Sequence, residues 1–437
     1  MAFPGVRTVS LVFWAILLLL LAIEVRPGCG TADGEAGHAY RAEANTSPDG
    51  HGVNEAGDTV KHCSDSEESC PADGENRQTE SNGESVTTSW QWDPKGYIMF
   101  CPCMGRLGNQ AEHYLGALAF AKALDRTLVL PPFRSYAHVS YGEYFEVEPI
   151  KEFHRVILME DFMQHLAPTY WPPGKRIAYS HLPEKSEVAC DINIGNPFKP
   201  FWDHFGINFD DCIKYQLNNG ADITKEGTMQ RAKTLWDARF PADQHPVLAL
   251  RGSPGSYPMI AGNRAIQQYF KWTPAFFTEA GDYIRSTFHG EPYVGIHLRN
   301  GIDWVRACEH ATNSRQFMAS PQCLDKTPGV KVTQEICLPS LPLILEQTSE
   351  LFDKVQARHL FIATDMHPHV SEFENLLKPR GVSVHYWHPS KAEYDLIVLG
   401  QADYFIGNCV SSFTSFVKRE RDANGRPSAF WGQPIDL

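Results

Sequence analysis

The sequence predicts an α/β protein with two Rossmann-like domains, and three observations support this fold class. Short apolar runs typical of buried strands alternate with stretches in which apolar residues recur at helical spacing. This alternation begins at Tyr97 and is found again from Tyr293 onwards. The chain of 437 residues is long enough for two large cores and an appendage. Alternation of this kind favours parallel sheets covered by helices.

The N-terminus has the pattern of a secretory signal. Arg7 precedes the apolar run Leu11–Ile23, and small residues follow near Gly28. Residues 1–27 are therefore predicted to be a signal peptide, with an uncleaved signal anchor as the alternative. Either interpretation places the rest of the chain in an oxidising compartment, where disulfides are the usual fate of the 11 cysteines.

Residues 28–91 are predicted to form an acidic, disordered stem. Between Gly28 and Trp90 there are thirteen acidic and three basic residues, so this segment carries −10 of the total charge of −13. The remaining net charge of about −3 says little about the partner of the folded part. The stem contains one glycosylation sequon, Asn45-Thr-Ser47, and Cys63 and Cys70 are spaced to close a small loop.

The first domain, residues 92–285, opens with a strand–turn–helix–strand unit. The apolar run Tyr97–Phe100 leads into Cys101-Pro-Cys-Met-Gly-Arg-Leu-Gly-Asn-Gln110, a helix over residues 111–124 and a strand over Thr127–Leu130. Such a turn brings backbone N–H groups to a phosphorylated ligand. It is not the dinucleotide fingerprint, because Gly105 and Gly108 stand three apart. The rest of this domain is rich in Pro and Trp and is expected to be largely irregular.

The second domain, residues 286–437, shows a regular alternation. Strands are predicted over 293–299, 359–364, 382–387 and 404–407, and helices over 342–355, 370–377, 392–400 and 411–421. Ligands of open parallel sheets bind beyond the carboxyl ends of the strands. Polar residues suited to a phosphate or a nucleoside occur at three of these ends: Arg299, Asp365 and the pair Ser411 and Ser412.

Each of these residues has a commoner structural explanation when taken alone. A strand-end Arg usually forms a salt bridge, an Asp usually forms a turn, and a Ser pair before a helix usually caps it. Three such ends in one domain, together with Arg106 and Asn109 in the other, favour a phosphate-containing ligand between the domains. Period-two alternation also places His297 and Arg299 on the same face of their strand.

Other functional classes lack their motifs. The sequence has no Asp-x-Asp, Walker loop or Gly-x-Ser-x-Gly motif, so no metal-ligating residues are proposed. Cys101 and Cys103 have no second Cys/His pair at zinc-site spacing, and the compartment favours a disulfide. Basic residues form no patch with interleaved aromatic residues, which argues against nucleic acid as a partner.

Five motifs resemble those of the GDP-fucose protein O-fucosyltransferases, in particular those that modify EGF-like domains. They cover the chain from about Trp92 to Ser428 and comprise Trp92-Asp-Pro, the segment Tyr97 to Gln110, Tyr293-Val-Gly-Ile-His-Leu-Arg299, Phe317-Met-Ala-Ser-Pro-Gln-Cys323 and the run from Gly400 to Asp422. The resemblance implies a GT-B-type glycosyltransferase with a central cleft. It also implies inverting, metal-independent transfer of fucose from GDP-fucose to Ser or Thr of a folded EGF-like domain.

The resemblance also implies the roles of individual residues. Arg299 is expected to act on the leaving phosphate and Asn109 on the acceptor hydroxyl, and Asp365 is expected on the guanine side. The full set of expected donor-binding residues is Arg106, Leu107, Gly108, Asn109, His297, Leu298, Arg299, Asp303, Asp365, Ser411, Ser412 and Phe413.

Partners, compartment and disulfides are implied in the same way. No cofactor is expected beyond the donor GDP-fucose, and stimulation by Mn²⁺ is left open. The expected partners are EGF-like domains of secreted and cell-surface proteins such as Notch, bound by a monomer in the endoplasmic reticulum lumen, although the C-terminal Pro-Ile-Asp-Leu437 is a weak retrieval signal. Disulfides are expected for Cys101 with Cys103, for Cys190 with Cys212, and as two bridges among Cys308, Cys323, Cys337 and Cys409. Two alternatives remain: a transferase for thrombospondin repeats, and a non-enzymatic folding helper for EGF-repeat proteins.

Overall fold

The structure is a computed structural model that describes residues 90–134, 138–192, 197–311, 314, 316–324, 329–389 and 391–435. The predicted signal sequence, the stem up to residue 89 and the last two residues lie outside the described residues. No helix in the described ranges is long and apolar enough to cross a membrane.

The first half of the described chain contains eight strands and several helices. Its elements are β1 (Tyr97–Phe100), α1 (Leu107–Leu124), β2 (Thr127–Leu130), β3 (Phe133–Arg134), β4 (His138–Val139), α2 (Tyr141–Tyr144), α3 (Val147–Phe153), β5 (Val156–Leu158), α4 (Met159–Asp161), a π-helical turn (Phe162–Leu166), α5 (Ala167–Tyr170), β6 (Ile177–His181), α6 (Phe198–His204), β7 (Asp211–Tyr215), α7 (Glu226–Arg239) and β8 (Val247–Leu250). Six of these strands form a parallel sheet in the order β5-β2-β1-β8-β6-β7, and β3 pairs with β4 in a small antiparallel ribbon.

The second half contains a five-stranded parallel sheet within the described residues. Its elements are a 3₁₀ helix (Ala261–Tyr269), α8 (Pro274–Phe288), β9 (Tyr293–Leu298), α9 (Ile302–Glu309), α10 (Pro321–Leu324), α11 (Gln334–Cys337), α12 (Leu341–Lys354), β10 (His359–Thr364), α13 (Val370–Leu377), a 3₁₀ turn (Lys378–Arg380), β11 (Ser383–Tyr386), α14 (Glu393–Gln401), β12 (Tyr404–Gly407), α15 (Ser412–Ala423) and β13 (Ser428–Phe430). The strand order is β11-β10-β9-β12-β13.

Alternation along β9 decides which side chains enter the core. Val294, Ile296 and Leu298 are fully buried and pack with Leu360 and Ile362 of β10. The opposite face of β9 carries His297, which is also buried but contacts α15. The face assignment predicted from period two is therefore confirmed.

One apolar cluster extends from the first half into the second. It includes Leu115 and Phe120 of α1, Phe276 of α8, Leu399 of α14 and Phe416 of α15, all of them buried. The helix α8 precedes β9 in the chain and packs against α14. The boundary proposed between residues 92–285 and 286–437 therefore lies within α8, which packs with the second half. The division into these two domains stays a proposal.

Four disulfides close loops in the described chain. Cys101 pairs with Cys103 beside the turn after β1, and Cys190 pairs with Cys212. The remaining two bridges are Cys308–Cys337 and Cys323–Cys409. The expectations for these eight cysteines are confirmed, and the pairing among the last four, which the sequence left open, is now assigned.

The middle of the first half is more regular than its sequence predicts. The part of the first domain after the opening strand–turn–helix–strand unit is predicted to be largely irregular, but four strands of the first sheet, β5 to β8, lie there. This prediction is wrong because the strands have only three to five residues each. Runs this short between Pro- and Trp-rich loops carry too little periodicity to be recognised before the neighbouring strand is known.

Arg421 is a buried cation that holds the end of α14. It has no exposed surface, and its guanidinium donates to backbone carbonyls of Leu399 (3.0 Å), Gly400 (3.1 Å), Ala402 (2.7 Å), Asp403 (3.3 Å) and Pro427 (2.7 Å). These are carbonyls at and after a helix C-terminus, where the helix dipole also favours a positive charge. Arg421 thus connects α14, β12 and β13 through hydrogen bonds rather than apolar contact.

We expect Arg421→Met to destabilise the fold strongly. The substitution keeps the volume but leaves several buried carbonyls without donors, which should cost on the order of 3 kcal/mol or more. Urea unfolding followed by tryptophan fluorescence measures the change. Arg380→Met is the matched control, since Arg380 is exposed and pairs with Asp353 on the surface; equal losses in the two variants would contradict this account.

Glu420 joins α15 to Trp272, which lies between the 3₁₀ helix and α8. Trp272 Nε1 donates to Glu420 Oε1 at 3.0 Å. The other oxygen, Oε2, is buried against Gly400 and has no hydrogen-bond partner among the described residues. Burial raises the pKa of this carboxyl from 4.5 to about 7. The folded protein therefore holds Glu420 neutral under mildly acidic conditions in which the unfolded chain ionises it.

The stability of the fold should depend on pH through Glu420. Because its folded pKa is raised, its contribution is fully present below 4.5 and is lost as the pH rises through about 7. Glu420→Gln mimics the neutral carboxyl at every pH. Between about pH 6 and about pH 8 the wild type should lose on the order of 1–3 kcal/mol more unfolding free energy than the variant. Identical pH profiles in urea unfolding would contradict the assignment.

Candidate active site

The topology brings four loop segments to one place. In the first sheet the chain runs outward from β1 to β2 and β5, and β8 then occupies the other side of β1. In the second sheet it runs from β9 to β10 and β11, and β12 occupies the other side of β9. Crevices form at the carboxyl ends of strands where the order reverses in this way. The loops after β1, β8, β9 and β12 therefore line the candidate site.

The turn after β1 presents Arg106 at the start of α1. Arg106 is exposed and is the residue that precedes the first helical position, Leu107. The buried Gln110 secures the turn, because its amide nitrogen donates to the Gly105 carbonyl at 2.8 Å and its oxygen accepts from the Arg134 N–H at 2.7 Å. The arginine is thus free to turn toward the cleft while the backbone below it is rigid.

Two helices begin at the site and touch there. A Cβ added to Gly108 would lie 2.8 Å from the backbone N of Phe413 and from the backbone C of Ser412. Only glycine therefore permits the first turn of α1 to pack on the first turn of α15. Each of these N-termini carries unpaired N–H groups and a partial positive charge, so together they favour an anion such as a diphosphate.

Arg299 follows β9 and is held from three sides. Its guanidinium donates to both carboxylate oxygens of Asp303, at 3.3 and 2.7 Å, and it forms an ion pair with Asp365. The same group lies 4.9 Å from the ring of Trp304, within the range of a cation–π contact. With its side chain only 18% exposed, Arg299 is presented in one orientation.

The two carboxylates beside Arg299 differ in exposure and in partners. Asp303 is 64% exposed; its hydrogen bond from Arg299 lowers the pKa of the carboxyl, to which the charge of Arg106 also contributes. Asp365 is 21% exposed, and its carboxylate accepts from the N–H groups of Asn300 at 2.9 Å and Gly301 at 3.1 Å. Asp365 therefore orders the loop after β9, and its predicted contact with guanine stays a prediction.

His297 is a neutral side chain beneath the site. It is 4% exposed, its Nδ1 lies 2.7 Å from Thr414 Oγ1, and its ring packs 4.8 Å from that of Phe413. Burial, with a smaller effect of Arg299, lowers its pKa to about 3. The imidazole therefore stays uncharged at neutral pH and supports Phe413 at the start of α15.

Asn109 links the two halves at the centre of the site. Its Oδ1 accepts from the Tyr257 hydroxyl at 3.2 Å and from the Ser412 hydroxyl. Its Nδ2 lies beside Gly105, where an added Cβ would come within 2.2 Å of it. Gly105 also has φ +72°, a conformation that favours glycine. The amide nitrogen of Asn109 thus faces the exposed turn.

The remaining predicted residues contribute mainly backbone. Leu107 and Leu298 are 7% and 2% exposed, and their side chains belong to the two cores. Ser411 is buried and precedes the first helical residue of α15, but its hydroxyl does not cap that helix. The hydroxyl of Ser412 is used by Asn109. The structure therefore places the twelve predicted residues in or directly after β9, directly after β10 and at the starts of α1, α9 and α15, and their binding to the donor stays a prediction.

Three residues of the site were missed in the sequence analysis. Trp304 directly follows Asp303, and its indole N–H donates to the Cys337 carbonyl at 3.0 Å, which anchors the ring under Arg299. Thr414 belongs to the Ser-Ser-Phe-Thr run and holds His297. Both were near recognised motifs. No sequence motif linked Tyr257 to the site, because this residue stands 148 positions from Asn109 in the chain.

Over the described ranges, no group of three or more His, Cys, Asp or Glu side chains is arranged to hold a metal ion. The positive charge that the geometry provides comes instead from Arg106, Arg299 and the two helix starts.

Comparison with known proteins identifies the family. The model of the GDP-fucose protein O-fucosyltransferase family matches residues 97–424. GDP-fucose protein O-fucosyltransferase 1 of Caenorhabditis elegans is 39% identical over 366 residues, which cover 80% of this chain and 93% of the relative. The family match spans the first sheet, four of the five strands of the second sheet and every residue of the site described above.

Crystal structures of POFUT1 give the same result for the fold. The apo form shares 39% identity with a TM-score of 0.73 and covers 79% of this chain and 100% of that one. The complex with GDP-fucose has the same identity and TM-score and covers 78% of this chain and 100% of that one. The predicted α/β, GT-B-type arrangement of two parallel sheets around a cleft is thereby confirmed. The chain belongs to the GDP-fucose protein O-fucosyltransferase family, the glycosyltransferases that transfer fucose from GDP-fucose to protein.

Proposed function

We propose that this enzyme transfers fucose, with inversion and without a required metal ion, to a Ser or Thr hydroxyl of folded EGF-like domains such as those of Notch. The observation that carries the proposal is the meeting of Arg106, Arg299 and two helix N-termini around Asn109. This arrangement offers an anion site and a neutral hydrogen-bonding group side by side. The endoplasmic reticulum lumen is the proposed compartment, consistent with the four disulfides.

The donor diphosphate would bind where the positive groups converge. N–H groups at the starts of α1 and α15 and the guanidinium of Arg106 supply a site for its oxygens. Asp303 pairs with Arg299, so the diphosphate would compete with an exposed carboxylate for the guanidinium. Asp365, which is less exposed and is fixed by two backbone N–H groups, would keep Arg299 in place during this exchange.

Arg299 would stabilise the leaving group. Cleavage of the bond between fucose and phosphate places negative charge on the β-phosphate, and a preorganised guanidinium stabilises that charge without reorganising. Because Asp303, Asp365 and Trp304 already fix its direction, little rotamer entropy would be lost when the phosphate arrives. Arg299 is therefore proposed as the main electrostatic catalyst.

Asn109 would contact the incoming acceptor hydroxyl, whereas Arg299 would contact the leaving phosphate. Its amide nitrogen can donate a hydrogen bond to the acceptor oxygen, but an amide does not take up the proton. No carboxylate among the proposed residues is assigned as a general base, so we propose a loose, oxocarbenium-like transition state in which the bond from fucose to phosphate breaks first and the acceptor hydroxyl loses its proton to solvent after its oxygen has bonded to the sugar. Asn at this position also supports the EGF-like acceptor over a thrombospondin repeat, for which the resemblance implies a Glu.

Removing the Arg299 guanidinium should abolish most of the activity. We expect Arg299→Ala to reduce kcat on the order of 100-fold or more, because one preorganised charge donor is lost. Arg299→Lys should fall in between, since it keeps the charge but not the fork between the two carboxylates. Initial rates of fucose transfer to a purified, folded EGF-like domain measure this. Near-normal turnover of Arg299→Ala would refute the assignment.

Folding controls separate catalysis from stability in this test. Arg380→Ala removes an exposed arginine of the second half beside the amino end of β11 and should leave kcat unchanged. Thermal unfolding of each variant identifies any loss of native protein. Arg299→Lys preserves the positive charge between Asp303 and Asp365, so its folding should match the wild type even if Arg299→Ala is destabilised.

The acceptor class can be tested with two matched substrates. We expect transfer to a folded EGF-like domain, much slower transfer to the same domain after reduction of its disulfides, and none to a thrombospondin repeat. Turnover should persist in excess EDTA. Mass spectrometry of the products reports the added deoxyhexose. Transfer to the thrombospondin repeat alone would overturn the acceptor assignment, and binding of the EGF-like domain without transfer would favour the folding-helper alternative.

A further inference from the structure

A polar triad is centred on Asn109. It comprises Asn109 of α1, Ser412 at the start of α15, and Tyr257 in the loop after β8. The hydroxyls of Tyr257 and Ser412 both donate to Asn109 Oδ1. An amide oxygen has two lone pairs, and the two hydroxyls occupy both of them. Asn109 is consequently left with only its NH₂ group for any further partner.

The loop that carries Tyr257 is fixed at several points. Gly255, with φ +95°, packs so closely on Gly116 of α1 that an added Cβ would lie 2.9 Å from the Gly116 Cα. The N–H of Met259 donates to Glu112 Oε2 at 3.3 Å, and the Ser253 hydroxyl donates to the carbonyl of His113 at 3.0 Å. The loop is therefore attached along α1 on both sides of Tyr257, whose hydroxyl reaches the first turn of that helix.

The tyrosine is also kept in its donor form. Burial, with a contribution from the charge of Glu112, raises the pKa of the Tyr257 hydroxyl above its ordinary value. The phenol is therefore protonated at neutral pH. Its ring meets His113 edge-on at 5.9 Å, which restricts rotation of the side chain.

We propose that Tyr257 is a positioning residue whose hydroxyl holds the Asn109 amide so that the amide nitrogen points at the incoming acceptor hydroxyl. This inference rests on the proposed role of Asn109. Without the second hydroxyl, the amide can rotate about χ2 or flip, and it then offers an oxygen where a donor is needed. Tyr257 acts through Asn109 and does not touch the reacting atoms.

The test is a double-mutant cycle on the full chain, with GDP-fucose and a purified, folded EGF-like domain as substrates. We expect Tyr257→Phe to lower kcat about five- to tenfold, as for loss of one neutral hydrogen bond. KM for GDP-fucose should change by less than about twofold, because no donor contact is removed. In the Asn109→Ala background the same substitution should have no further effect on kcat.

A matched control excludes a general effect of losing a buried hydroxyl. Tyr179 is buried in β6, and its hydroxyl is hydrogen-bonded to His245 Nδ1 at 2.7 Å. Tyr179 lies in β6 and His245 in the turn before β8, and the ring contacts of this pair are with Phe240, away from the site. Tyr179→Phe should match Tyr257→Phe in its thermal unfolding midpoint and keep the wild-type kcat.

Three results would overturn the inference. Wild-type kcat in Tyr257→Phe, while Asn109→Ala is impaired, would contradict it and leave the proposed function intact. An equal loss from Tyr257→Phe in the wild-type and Asn109→Ala backgrounds would show that Tyr257 acts by packing alone. Wild-type kcat in Asn109→Ala would instead overturn the proposed role of Asn109, and the positioning role with it.

Discussion

The contact between the first turns of α1 and α15 is the constraint on which the structure depends. Gly108 allows the backbones of the two helices to approach, and the buried pair Glu112–Arg419, at 3.2 Å, lies one turn further along. Arg419 also donates to Gln267 at 3.1 Å and to Ser415. Both charged side chains are 2–3% exposed. Loss of either partner would leave an uncompensated buried charge, so the two helices are specified in register.

This single contact serves the fold and the site at once. It joins the halves through one continuous apolar cluster, and it directs two helix N-termini at the same point. The strand order places the loops after β1, β8, β9 and β12 around that point. Catalytic groups therefore come from both halves, while the elements that orient them are rigid. Such preorganisation is the main means by which a fixed charge lowers a barrier.

Several motif residues that look functional in sequence are structural. In the run from Lys418 to Asp422, Arg419 pairs with Glu112, Glu420 accepts from Trp272, and Arg421 binds backbone carbonyls. None of the three lines the cleft, although all of them lie on the helix whose start does. A long motif can thus contain one turn that faces a ligand and two turns that hold that turn in place.

The amino-acid sequence was enough to predict the helices and strands with strong periodicity and the polar residues that follow the strands. The strands near Tyr97, Tyr293 and His359 and the face of β9 were predicted correctly, because local pattern decides them. The donor-binding roles proposed for the residues from Arg106 to Phe413 stay predictions, which rest on their positions relative to the strand ends. Only the tertiary structure decided the short strands β5 to β8, the pairing of Cys308 with Cys337, and the contact of Tyr257 with Asn109. These three features depend on which distant segments of the chain become neighbours. The order of the strands in the sheets decides this, and local propensity does not.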